Sequence, residues 1–183
     1  MHALKTSTTP GADDATSDPV WIVVMGVAGC GKSTIGRLVA EALQLAFIEG
    51  DAFHPPENIR KMTEGIALDD VDRQGWLDRL GAELQGHPQG AVLSCSALKR
   101  AYRERLRRAV PTLRFIHLSV GQELANARVD ARATEHLFPP SLVASQFAAL
   151  EDPVGEAQVL QLDGALAPSL VSQQAVAWIM SKN

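Results

Sequence analysis

Long apolar runs are missing from this chain. No stretch reaches the ~18 apolar residues that a membrane-spanning helix needs. The first nineteen residues, MHALKTSTTPGADDATSDP, lack the apolar centre of a secretory signal. They are rich in Thr, Ser, Ala, Asp and Pro and are expected to form a flexible tail, 1–19, with no chemistry of its own. Cysteine is scarce too. Cys30 and Cys95 are too few for a disulfide framework, and their spacing fits no zinc pattern. A reducing, cytoplasmic setting is therefore expected. Positive charge is not in excess: 17 Lys and Arg residues stand against 21 Asp and Glu, a formal net charge of -4. That balance argues against nucleic acid or an anionic membrane surface as the main partner.

What remains is an ordinary globular composition, 46% apolar and 21% charged, over 183 residues, enough for one domain with a sizeable core. Short apolar runs at 20–25, 45–51, 90–96, 113–120 and 157–163 read as buried strands. Between them, 32–44, 55–65, 69–85, the basic segment after 96, 121–133, 141–151 and 169–180 read as helices, with Pro in the first turn of 55–65 and acids opening 69–85. This alternation predicts a three-layer α/β domain over 20–183, a five-stranded parallel sheet with helices on both faces. Ligands of such sheets gather outside the C-terminal strand ends. There lie the glycine-rich loop, Asp51, Ser96 and the segment after Val120.

The loop is the strongest local signal. VVMGVAGCGKSTIG contains Gly26-x-x-x-x-Gly31-Lys32-Ser33 between a strand and a helix, the context of a phosphate-cradling P-loop. Gly26, Val27, Ala28, Gly29, Cys30, Gly31, Lys32, Ser33 and Thr34 are the candidate nucleotide-binding residues. Glycines permit close backbone approach, and the amides around 28–34 face phosphate oxygens with the helix N-terminus behind them. Lys32 is expected to neutralise the β- and γ-phosphates of ATP, and Ser33 to hold Mg²⁺. Cys30, at a helix N-terminus, reads first as an inert small filler, with a lowered thiol pKa and sensitivity to oxidation as the alternative.

Other candidates follow along the chain. Asp51 can take the proton of an attacking hydroxyl, or else cap a helix. His54 is either a turn residue or a contact. Arg60 and Lys61 either face an anionic substrate or form a solvated pair. Ser96 and Lys99 follow the third strand in SCSALKR, where many P-loop proteins carry an Asp, so the candidates for a further metal carboxylate are Asp51 and the acids of 69–72. Arg128 and Arg132, four apart on one helix face, precede the Pro-broken stretch 133–140 and would stabilise transition-state charge, or else form a surface pair. Lys99, Arg100, Arg103, Arg105, Arg107 and Arg108 crowd into ten positions, mostly as a solvated face with one or two turned inward toward phosphate.

Taken together, GVAGCGKST, GDAFHPPENIRKMTEGIALDDVDRQGWL, SCSALKRAYRERLR and SQFAALEDP resemble the gluconate kinases, small P-loop sugar-acid kinases, from about Trp21 to Asp163. The resemblance implies a fold like the nucleoside monophosphate and shikimate kinases, with a substrate-binding helical region at about 52–85 and a lid at about 128–141. It implies transfer of phosphate from ATP to the 6-hydroxyl of D-gluconate with Mg²⁺, in a homodimer. Lys32, Asp51, Arg128 and Arg132 become the catalytic residues, with Asp51 as base. Asp51, His54, Arg60, Lys61, Arg73, Ser96, Lys99 and His136 become substrate contacts. The family usually shows Arg-x-x-His-Phe where the lid begins. Here Arg132-Ala-Thr-Glu-His136-Leu-Phe carries one extra residue, which bears on His136. Two rival functions are a kinase of another small hydroxy acid on the same scaffold and a nucleotide-binding regulatory module without catalysis.

Overall fold

The computed structural model describes residues 18–131 and 140–181. Five parallel strands stand in the order β2-β3-β1-β4-β5: β1 Val20–Met25, β2 Ala46–Glu49, β3 Gly90–Ser94, β4 Arg114–Ser119 and β5 Val159–Asp163. The helices are α1 Lys32–Leu43, α2 Pro56–Thr63, α3 Asp70–Gln85, α4 Arg100–Ala109, α5 Gln122–Asp130, α6 Val143–Ala149 and α7 Pro168–Met180.

The period-2 alternation of β1 builds the two cores. Ile22 and Val24 pack on one face with Val39 of α1, Ile116 of β4, Val143 of α6 and Val171 of α7. Val23 and Met25 pack on the other with Trp76 and Leu80 of α3, Leu106 of α4 and Phe115 of β4. A central strand buried on both faces has to be apolar throughout, which is why VWIVVM was readable as a strand. The expected α/β sheet with helices on both faces is what the chain forms. No helix among the described residues is long and apolar enough to cross a membrane.

One boundary differs from expectation in a way that places the site. The second strand ends at Glu49 rather than 51, and Gly50–Phe53 wind a 3₁₀ turn. A Cβ on Gly50 would stand 2.2 Å from the Ser94 carbonyl oxygen, so the chain crosses close over β3 and leaves the sheet there. The Trp76 indole donates to the Gly50 carbonyl at 2.8 Å and fixes that exit. Asp51 thus rides on a braced turn. At the start of α3, Asp69 and Asp72 form a reciprocal capping box, each carboxylate accepting the other's backbone N–H.

Candidate active site

The P-loop joins β1 to α1 and is shaped by what its glycines leave out. Gly26, Gly29 and Gly31 have φ of +139°, +77° and +101°, a region that favours glycine. Contact reinforces conformation at two of them. A Cβ on Gly26 would lie 2.7 Å from the Leu118 carbonyl oxygen, and one on Gly29 would lie 2.5 Å from the Ala125 carbonyl oxygen. The amides of Gly29, Gly31, Ser33 and Thr34 make no hydrogen bond among the described residues. This is the donor set of an anion cradle at a helix N-terminus. Lys32 folds its Nζ back onto the Val27 carbonyl at 2.9 Å.

The loop is held from two flanks. Arg128 of α5 donates to the carbonyls of Gly29 (3.3 Å) and Gly164 (2.9 Å). On the opposite flank the Gln146 side chain of α6 accepts the Ala28 N–H at 2.7 Å. Cys30 lies beneath, 1% exposed. The alternative of a lowered thiol pKa at this helix terminus is not found, and the inert filler fits. Burial pushes the thiol up, outweighing the Lys32 and Arg128 charges that pull it down.

Facing the loop across a cleft of about 950 Å³, open mouth included, is a wall built from the turn after β2, from α2 and α3, and from the segment after β3. Asp51, His54, Arg73 and Ser96 line it, with Lys32, Ser33 and Arg128 on the loop side. The Asp51 side chain is 71% exposed and unencumbered by a hydrogen bond to any described residue. His54 is buried and stacks on Trp76, ring centroids 4.1 Å apart and planes 15° apart. Asn58 Nδ2 donates both to the Asp72 carbonyl (2.9 Å) and to His54 Nδ1 (3.3 Å). The Asn58 amide nitrogen can only donate, so Nδ1 accepts and the imidazole proton sits on Nε2, 3.9 Å from the Asp51 carboxylate. Burial, then the Arg73 charge, lower the His54 pKa to about 4, so the ring is neutral at pH 7.

The cleft continues past Arg73 and Gln146 into a second chamber lined by Asp70, Lys99 and Tyr102. There the Arg73 guanidinium and the Lys99 ammonium lie 5.8 and 5.7 Å from the Tyr102 ring centre. Asp70 accepts from the Lys99 ammonium at 2.6 Å and from the Tyr102 hydroxyl.

Some candidates stand apart from this cleft. Arg60 is exposed on α2 and does not line it. Lys61 grips both carboxylate oxygens of Asp72 at 2.7 and 2.8 Å, tying α2 to α3. Thr34 is exposed beyond the lining, and the side chains of Val27 and Cys30 are buried below the loop. Arg132 and His136 lie outside the described residues. Of the acids considered for a metal, Asp69 and Asp72 cap α3 and Asp70 pairs with Lys99. No cluster of three or more His, Cys, Asp or Glu residues among the described residues is placed to hold a metal. Ser33 and Asp51 both face the cleft, and with phosphate oxygens they offer the hard oxygen donors Mg²⁺ takes.

A family model for shikimate kinase matches residues 28–146. The gluconokinase of Gluconobacter oxydans (strain 621H) is 42% identical over 164 residues, covering 86% of this chain and 90% of its own. The thermosensitive gluconokinase of Escherichia coli (strain K12) is 41% identical over 145 residues, 77% of each chain. The chain belongs to the gluconokinase family. The crystal structure of a gluconokinase from Sinorhizobium meliloti 1021 superposes with a TM-score of 0.80 at 46% identity, covering 87% of this chain and 91% of that one.

For a gluconokinase-family chain, sequence reasoning passed over two parts of the site. Met62, Leu68 and Leu142 form a small apolar cluster closing one end of the cleft. Ser145 and Gln146 bring α6 into the lining. Their motif, SQFAALEDP, was visible as a resemblance, but nothing local marks Gln146 as the partner of a backbone amide 118 residues earlier. Arg103, named in the basic run, lines neither chamber. The basic run does turn one residue fully inward, but it meets protein and not phosphate. Its guanidinium donates to the Glu156 carboxylate and to the carbonyls of Ala97, Leu98 and Glu151.

Proposed function

We propose that this chain transfers the γ-phosphoryl group of ATP to the 6-hydroxyl of D-gluconate, giving 6-phospho-D-gluconate and ADP. The observation that carries this reading is that one cleft holds both halves of the reaction. The P-loop with Lys32 and Ser33 faces Asp51, whose carboxylate makes no hydrogen bond among the described residues. Its relatives named gluconokinase set the acceptor class. The open P-loop amides and Lys32 bind the phosphates and draw charge toward the leaving oxygens. Ser33 would hold Mg²⁺, which when bound would neutralise phosphate charge. Asp51 accepts the hydroxyl proton as the oxygen attacks in line. His54, neutral with its proton on Nε2, offers a donor beside Asp51 without competing with the cationic groups for the anionic substrate. Arg73 and Lys99, with Ser96, supply cations and a hydroxyl for the polyol carboxylate. Arg128, whose guanidinium already spans the loop, adds positive charge at the phosphates.

The region 52–85 is the acceptor-binding part of this arrangement. The two unpaired buried cysteines suit a reducing cytoplasm, and the family likeness carries the expectation of a homodimer, which light scattering on the eluting protein checks. The test of function is ADP release coupled to a reporter, with ATP, Mg²⁺ and a panel of sugar acids, shikimate and nucleoside monophosphates. Turnover with gluconate is expected, and Asp51→Asn should lower kcat about 100-fold or more while leaving nucleotide affinity nearly intact. Near-normal turnover in that variant would remove Asp51 as the base. The match to a shikimate kinase model favours one rival, a kinase of another cyclic or open-chain hydroxy acid; activity on the panel without activity on gluconate would select it.

A further inference from the structure

The P-loop amides are not equivalent. Those of Gly29, Gly31, Ser33 and Thr34 are open to an anion, whereas the Ala28 N–H is already committed to a side chain from α6. That side chain, Gln146, is unusual for its position. α6 is anchored by Val143, which is fully buried in the core beneath the P-loop. Gln146 follows one turn later on the same face, where an apolar residue would be expected, and is 8% exposed. A polar group in such a place needs partners. A backbone amide can only donate, so the atom facing Ala28 is Oε1, and the NH₂ end must point the other way. Nε2 makes no hydrogen bond among the described residues, and Gln146 lines the cleft where its two chambers meet, beside Arg73.

We propose that Gln146 is an acceptor-binding residue anchored on the P-loop: its Oε1 holds the Ala28 peptide while its Nε2 donates to a hydroxyl of the acceptor. The idea rests on the sugar-acid reading above for the nature of that acceptor. It adds a specific device to it. One planar amide ties the acceptor's position to the loop that carries the phosphates, so that the attacking oxygen and the phosphoryl group are held by the same rigid element. The helix that presents it is itself fixed at its far end, where the Glu151 N–H donates to the Leu98 carbonyl at 2.9 Å and the Glu151 carboxylate accepts the Arg100 N–H at 2.6 Å. The donor would therefore stand in place before the acceptor arrives.

The test pairs Gln146→Leu with acceptor analogues. Gluconate and a set of its mono-deoxy analogues are assayed with the wild-type chain and with Q146L, alongside titration of a non-hydrolysable ATP analogue. With gluconate, Q146L should raise the acceptor KM about tenfold, the size of one neutral hydrogen bond, and shift nucleotide affinity much less. One deoxy analogue should be bound equally by the two proteins, because it lacks the hydroxyl that Nε2 serves. If Q146L loses the same factor on every analogue and on nucleotide together, Gln146 is only a brace of the loop and the proposal is wrong. An unchanged acceptor KM refutes it as well. Should Q146L fail to fold, Q146E keeps an acceptor for Ala28 and removes the donor; it must show the same single-analogue equality, and its absence refutes the proposal. If the wild-type chain does not turn over gluconate, the sugar-acid reading fails by itself, and the same comparison on whichever acceptor it does phosphorylate still decides the role of Gln146.

Discussion

Replacing Arg103 by Met should cost this protein a large part of its stability. The guanidinium is 0% exposed and all of its donor directions are used. Nε lies 3.1 Å from both Glu156 oxygens, Nη2 lies 2.5 Å from one of them, Nη1 reaches the Ala97 and Leu98 carbonyls at 2.9 Å each, and Nη2 reaches the Glu151 carbonyl at 3.1 Å. Breaking one partner of a buried ion pair costs about 3–5 kcal/mol, mostly because the other charge is stranded. Here the stranding is incomplete, since Arg107 still donates to Glu156 at 3.0 Å. The Ala97 and Glu151 carbonyls lose their donor as well, each at about 1–3 kcal/mol if left unmet, while the Leu98 carbonyl keeps the Glu151 N–H. The two corrections oppose each other, and about 4 kcal/mol is the expected loss, a fall in Tm of about 10 °C for a chain of this size. Urea denaturation followed by tryptophan fluorescence reads it directly. Met fills the volume without the charge, while Arg103→Lys keeps the charge but cannot fork to carboxylate and carbonyls together, so it should recover only part of the loss. The functional trace is a rise in acceptor KM, because two of the carbonyls that Arg103 holds, those of Ala97 and Leu98, belong to the loop carrying Ser96 and Lys99 into the cleft. A loss below about 1 kcal/mol for R103M would refute the accounting.

Three further outcomes are expected. His54 is neutral when folded with a pKa of about 4 and titrates near 6.5 when unfolded. The unfolded state therefore binds the extra proton between those values, and stability falls as pH drops from 6.5 toward 4. His54→Gln should flatten that slope by at most about 3 kcal/mol relative to wild type, and parallel curves from urea melts at several pH values would contradict it. Gly29→Ala combines a φ of +77° with a Cβ 2.5 Å from the Ala125 carbonyl oxygen, both backbone constraints, so a loss of about 2–4 kcal/mol and weakened nucleotide binding are expected, checked by melts and nucleotide titration. Cys30, buried with its thiol pKa raised, should resist both a thiol-specific chromogenic reagent and mild peroxide in the folded protein and react only on unfolding; peroxide inactivation that ATP prevents would show the thiol to be accessible.

The strands were legible because their signal is local. VWIVVM can be buried on both faces only as a central strand, and the strand–glycine loop–helix succession places the P-loop without knowledge of any neighbour. The end of β2 was not legible. Whether the chain stays in the sheet at Gly50 depends on its closeness to Ser94 and on an indole from α3, both distant in sequence. The same limit explains the basic run. From spacing alone, Arg103 is one of six cations on a helix; what draws it inward is Glu156, 53 residues later, on a segment with no regular structure.

For the site, the residues whose place at the cleft was legible are those set by backbone shape or by the end of a strand: the P-loop glycines, Lys32, Asp51 and Ser96. Charge proved a weaker guide, because a cation near a cleft answers to the nearest anion before it answers to a ligand. Lys61 has Asp72 at 2.7 Å and Lys99 has Asp70 at 2.6 Å, whereas Arg73 makes no hydrogen bond among the described residues and lines both chambers. Of the cations on this wall, Arg73 is thus the one whose charge is least spent on protein, and it also helps keep His54 neutral. Removing Arg73 would therefore weaken acceptor binding by losing a cation, and would let the imidazole protonate more readily, which restores part of that positive charge. The second effect grows as pH falls toward the ordinary histidine range, so the two separate in the pH dependence of the acceptor KM.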